Sequence, residues 1–225
     1  MMNPEFFLQL IALLELIAFL AVIGMHLFRK NKYLIVLYAL QSLSVGVLLI
    51  GLGLAGDKEG LVLVGILTLL IKTFFVPLFF LRLSARFQES RTASYASSNY
   101  LSTPLTLGVL MGLVLFSYSK VFNPLQSLLP EPSHLLSLNL AIIFLSIFLL
   151  VNRQGVFAQI IGILSLENGI LLVATSLGID QPLALEGGII FDLVLWIAIG
   201  SAFLSMIYRE FRSLSTAHLK RLTED

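Results

Sequence analysis

The sequence predicts an all-α fold: a polytopic integral membrane helix bundle of about seven transmembrane helices. Three observations predict it. Of 225 residues, 58% are hydrophobic and 12% charged, whereas a soluble domain carries about 45–50% apolar and about 25% charged residues. Seven stretches approach the ~20 mostly apolar residues that a spanning helix needs. Basic residues gather in alternate loops between those stretches, as the positive-inside rule requires of membrane chains.

The spans are taken in order. Span 1 covers 5–28; Glu5 opens it and Arg29, Lys30 and Lys32 follow it. A cleaved secretory signal has the reverse order, with its basic residues first, so this segment is expected to be a retained span. Span 2 covers 33–55 and ends at the polar AGDKEG. Span 3 covers 61–83 and contains LIKTFFVPLFF, in which Pro77 lacks the N–H that would bond the carbonyl of Thr73, so a kink is expected there. A Ser-rich polar loop leads to span 4, 101–119. The segment KVFNPLQSLLPEPSH leads to span 5, 135–151, the shortest. NRQG then precedes span 6, 156–179, and a turn at 180–182 precedes span 7, 183–208. Backbone groups in lipid must be satisfied within the segment, which makes each span a helix.

Orientation follows from charge. Arg29, Lys30, Lys32, Arg82, Arg86, Arg91, Arg153, Arg209, Arg212, Lys220 and Arg221 fall on one side, and Lys58 and Lys120 on the other, eleven against two. The C-terminus is therefore expected in the cytoplasm and the N-terminus outside. Spans 1–3 and 5–7 share a weak pattern of basic loop, polar span and buried charge, of the kind internal repeats leave in transport folds.

Composition also removes whole classes of function. A net charge of +1 is not the footprint of a nucleic-acid binder. The absence of cysteine excludes Cys-ligated zinc and iron–sulfur clusters from this chain. His26 and His134 lie at opposite membrane edges and His218 in the tail, which is not the arrangement of a haem between helices. No phosphate-binding Gly-rich loop or nucleophile elbow is present. No active site of its own and no cofactor in this chain are expected.

Four ionisable residues stand toward the middle of the spans: Glu15, Lys72, Glu167 and Asp192. Each costs at least ~2.5–3.5 kcal/mol on insertion scales, which makes it a functional candidate. A rise of ~1.5 Å per residue puts Glu15 at roughly 15 Å, Lys72 and Glu167 at about 16–18 Å and Asp192 at about 12 Å from a membrane edge. In a core ~30 Å thick, all four are expected near one level. Three acids and a base at one depth form a candidate proton pathway, since burial disfavours the charged form of either group. Gln41, Ser42 and Asn168 are candidate hydrogen-bonding supports across helices. Glu186 lies near the outer edge, where a solvated helix end explains it equally well.

The segment NRQGVFAQIIGILSLENGILLVATSLGIDQPLALEGGIIFDLVLWIAIG, with YALQSL in span 2 and LIKTFFVPL in span 3, resembles the hydrogenase-4 component E (HyfE) family. LENG and EGGIIFD are the most specific parts. The last three spans are also similar to the NuoK subunit of respiratory complex I and the MrpC subunit of cation/proton antiporters. In the NuoK pattern a basic inner loop precedes a mid-helix glutamate and a later acid, which here fall on Arg153, Glu167 and Asp192. The last is aspartate where the pattern has glutamate. The resemblance implies a non-catalytic membrane-arm subunit of a complex I-related, ion-translocating oxidoreductase of the group 4 [NiFe] hydrogenase type, in a prokaryotic inner membrane. Its implied partners are lipid, antiporter-like membrane subunits, other small membrane-arm subunits, and peripheral hydrogenase-like and iron–sulfur subunits that hold the [NiFe] and iron–sulfur centres. It also implies units at 1–100, a three-helix unit with its polar loop; 101–133, the fourth helix and outer loop; 134–209, a NuoK-like three-helix unit; and 210–225, a cytoplasmic tail. The alternatives are a subunit of a cation/proton antiporter and a purely structural membrane subunit.

Overall fold

Helix is the state that closes the backbone hydrogen bonds of a long apolar run on itself, and the described chain is nearly all helix. The computed structural model describes residues 4–88, 98–127 and 133–178, with single positions at Ala198 and Ala202. Span 7, with Glu186 and Asp192, lies outside the described residues. Among the described residues, six helices are long and apolar enough to cross a membrane: Glu5–Leu27, Asn31–Ala55, Glu59–Arg82, Thr103–Gln126, Leu135–Asn152 and Phe157–Ser176.

Helix α1 spans Pro4–Leu27 and α2 spans Asn31–Ala55. Between α2 and the next helix Asp57 adopts φ 52°, a left-handed conformation that a short polar side chain tolerates. The third span has three parts: α3 at Glu59–Leu67, a π-helical segment at Thr68–Phe75, and α4 at Val76–Gln88. The distortion expected at Pro77 thus takes the form of π-winding, in which the Val76 N–H reaches back to the carbonyl of Ile71. The wider winding accommodates a ring that has no N–H and that crowds the preceding turn.

Strand β1 is only Ser98–Asn99, and α5 spans Thr103–Ser117. A 3-10 turn at Lys120–Phe122 and the short α6, Asn123–Gln126, follow. Helix α7 spans Ser133–Asn152, β2 is Arg153–Gln154 and α8 spans Val156–Ser176. NRQG is therefore more than a loop. Its Arg153 and Gln154 pair antiparallel with Asn99 and Ser98, which ties the end of the polar loop after span 3 to the α7–α8 turn.

Helix α2 packs on α1, α3, the π segment and α8; α7 packs on α1, α5 and α8. Glycine lets α2 and α3 meet backbone to backbone: a Cβ on Gly65 would lie 2.9 Å from the Gly46 carbonyl oxygen and 2.9 Å from the Ile50 nitrogen. The outer surface is apolar, with Leu20, Leu54, Leu70, Phe74, Phe75, Met111, Leu115 and Val151 among its exposed side chains, as lipid contact requires.

The core divides along the bundle axis. One cluster contains Met25, Leu34, Tyr38, Val76, Phe80, Leu149, Phe157 and Leu164. The other contains Ile11, Ala18, Val22, Val45, Leu48, Val64, Ile142, Leu145 and Leu171. The first lies toward the end bearing Arg29 and Arg153, here termed inner, and the second toward the Asp57–Lys58 turn, termed outer.

A polar layer with a buried ion pair

The boundary between the two clusters is polar. On α2, Gln41, Ser42 and Ser44 fall between Tyr38 of the inner cluster and Val45 of the outer. On the third span Thr68 and Lys72 fall between Val64 and Val76. Ser146 lies between Leu145 and Leu149 on α7, and Ser165, Glu167 and Asn168 lie between Leu164 and Leu171 on α8. Four adjacent spans thus contribute to one layer.

At its centre, Lys72 Nζ donates to Glu167 Oε2 at 3.0 Å, with side-chain exposures of 4% and 16%. The same ammonium donates to Asn168 Oδ1 at 3.4 Å, and Asn168 Nδ2 donates to Ser42 Oγ at 2.8 Å. Gln41 Nε2 donates to the Ser165 carbonyl at 3.4 Å, and the Ser146 and Ser165 hydroxyls share a bond of 2.8 Å. Tyr38 is fully buried one helical turn before Ser42, and its hydroxyl makes no hydrogen bond of ordinary geometry. Lys72 stands within the π-helical segment, so the irregular winding and the ionisable side chain occupy the same two turns.

Such a pair has two charge arrangements, ammonium with carboxylate and amine with carboxylic acid, which differ by one proton moved across the hydrogen bond. Water separates them widely in energy. A low-dielectric interior penalises the separated charges and brings the two closer.

The structure brings Lys72, Glu167, Asn168 and Gln41 into one layer and leaves two other candidates elsewhere. Glu15 is only 3% exposed but is not in this layer. It lies between Ile11 and Ala18, both of the outer cluster. Its Oε1 accepts from Asn139 Nδ2 at 3.1 Å, and Asn139 Nδ2 also donates to Ser176 Oγ at 2.9 Å. Ser176 ends α8, nine residues beyond Glu167, or roughly 13 Å along the axis. The expectation of one shared depth therefore fails for Glu15. Counting along its own helix ignores how far that helix is staggered against α7 and α8, to which the outward lean of its side chain adds only a little.

Arg153 lies in the turn between α7 and α8, as expected of a basic inner loop, but it is fully buried, and its Nη2 donates to the carbonyls of Met25 and Phe28. These are end carbonyls of α1, which carry the negative end of the helix dipole. Burial first, and then the nearby charge of Arg29, lower the guanidinium to about 10, so it remains a cation at neutral pH. The same inner end holds His26, whose ring stacks on Phe148 at 5.2 Å and whose Nε2 lies 3.0 Å from the Leu145 carbonyl. Asn152 Oδ1 accepts from the Leu101 N–H at 3.0 Å.

In comparisons with known proteins, no family model, curated protein or solved structure matches the chain. Among the described residues no group of three or more His, Cys, Asp or Glu side chains is placed to hold a metal ion.

Ser146, Ser165, Asn139 and Tyr38 do not stand out in the sequence. The serines carry no charge and barely interrupt an apolar run. Asn139, a lone amide within SLNLAI, was the legible signal, because a buried amide demands partners. Tyr38 reads as an ordinary core residue until its buried hydroxyl is seen to lie at the edge of the polar layer.

Proposed function

We propose that the chain is a membrane-arm subunit of a complex I-related, ion-translocating oxidoreductase of the group 4 [NiFe] hydrogenase type, and that its Lys72–Glu167 pair takes part in proton movement. The observation that carries the reading is the ion pair itself: a lysine and a glutamate 3.0 Å apart, inside a polar layer between two apolar clusters. Packing alone does not call for it, since apolar side chains of similar volume often serve stability as well or better than a buried ion pair. Exchange of the proton between Nζ and Oε2 makes the pair responsive to charge changes nearby, and Asp192 is the second acid proposed for the path. The motifs LENG and EGGIIFD support the assignment to this class of complex, whose redox centres would sit in peripheral partner subunits.

Purification from the native membrane in mild detergent tests the assignment. Hydrogenase-like and iron–sulfur chains are expected to co-purify with this one. Antiporter subunits without redox proteins would instead support the cation/proton antiporter reading, and an isolated chain would overturn both.

A further inference from the structure

Glu15 presents a problem of charge that the Lys72–Glu167 pair does not. Among the described residues no lysine or arginine lies within ion-pair distance of it. Its Oε1 is held by Asn139, while its Oε2 is buried with no hydrogen-bond partner. Asn139 gives its amide nitrogen to both Glu15 and Ser176, and its own Oδ1, also buried, accepts nothing. The Ser176 hydroxyl is oriented by donating to the Leu172 carbonyl at 2.9 Å. Among the described residues, Tyr118, just beyond α5, is a titratable group near enough for its charge state to feel that of Glu15. Three helices thus position a carboxylate and an amide so that two oxygen acceptors are left open in an apolar cluster. An acceptor of this kind, desolvated and unpaired, is costly, and a bound cation offsets the carboxylate's charge as well as its open lone pairs.

We infer that Glu15, Asn139 and Ser176 form a second ion site, outward of the polar layer, that holds one exchangeable monovalent cation at Glu15 Oε2, either a proton or sodium. With a proton the carboxyl becomes neutral and gains an O–H donor. With sodium the carboxylate oxygen and neighbouring oxygens become ligands. Asn139 is a positioning residue: it fixes Oε1 and leaves Oε2 open. The inference extends the reading of the chain as an ion-carrying subunit. It concerns the occupancy of Glu15 alone, so it stands or fails separately from the coupling role of Lys72 and Glu167.

Infrared difference spectroscopy of the full-length protein in its native assembly tests it, with buffer exchanged between mildly acid and mildly alkaline pH and with sodium exchanged for choline. A carboxylic-acid carbonyl band present at neutral pH in the wild type and missing in Glu15→Gln establishes a proton. A Glu15-dependent carboxylate band that shifts on sodium addition, and not on choline addition, establishes sodium. Asn139→Leu keeps the carboxyl and removes its donor, and is expected to shift the same band; it serves also if Glu15→Gln does not fold. A spectrum in which neither substitution removes or shifts a carboxyl band, and in which sodium has no effect, overturns the inference.

Discussion

Lys72 and Glu167 stand 95 residues apart in the chain and 3.0 Å apart in space, with an apolar cluster on either side of them along the bundle axis. Removing one partner leaves the other as an uncompensated buried charge, at a cost of about 3–5 kcal/mol; removing both in favour of apolar groups is often neutral. Lys72→Met and Glu167→Leu are therefore each expected to destabilise the chain by about that amount, and the double variant to recover most of it. Unfolding equilibria in mixed micelles measure the cycle. Additive losses in the double variant would show that the two side chains are not coupled.

The approach of α2 and α3 makes opposite predictions for different glycines. At Gly65 a methyl group would meet backbone atoms of Gly46 and Ile50, which cannot swing aside, so Gly65→Ala is expected to cost roughly 1–3 kcal/mol. Gly108 and Gly112 on α5 have nothing within 4 Å of a built Cβ. Alanine there is expected to be neutral or to stabilise by up to about 1 kcal/mol through helix propensity. The same unfolding measurement compares the three.

How much of this was legible in the sequence depends on what each residue does. Hydropathy located the spans because every backbone group in lipid must be satisfied within its helix. The 33–55 and 156–179 expectations differ from α2 and α8 by two residues at the start of one and three at the end of the other. Lys72, Glu167, Gln41 and Asn168 were legible as a set because polar groups inside apolar runs are conspicuous. Glu15 was misplaced because depth counted along one helix does not say how neighbouring helices are staggered. The burial of Arg153 was hidden because a basic residue beside a turn looks solvated until the end of α1 is placed against it.

The pairing of Ser98 with Gln154 can be tested covalently, since the chain has no cysteine. Opposed residues of an antiparallel pair have Cα atoms about 4.5–5.5 Å apart, within the range a disulfide bridges. Ser98→Cys with Gln154→Cys is expected to oxidise readily, and peptide mapping would recover the cross-linked fragments. A pair that stays reduced under mild oxidant would contradict the bridge between the polar loop and the α7–α8 turn.

Tyr38 is fully buried and its hydroxyl makes no hydrogen bond of ordinary geometry. Tyr38→Phe removes that group while keeping the ring in the inner cluster. The variant is expected to be as stable as the wild type or more stable by about 1 kcal/mol, since an unsatisfied buried hydroxyl carries a desolvation penalty. A loss of more than that on thermal denaturation would mean that the hydroxyl is bonded after all, most simply to Ser42.

The central claim is that Glu167 exchanges a proton as part of ion translocation by a redox-driven complex. Glu167→Gln in the intact complex tests it most directly, because glutamine still accepts a hydrogen bond from Lys72 but cannot take up and release a proton. Assembly is predicted to persist while the number of ions moved per electron falls. Normal assembly with an unchanged ion-to-electron ratio would contradict the claim.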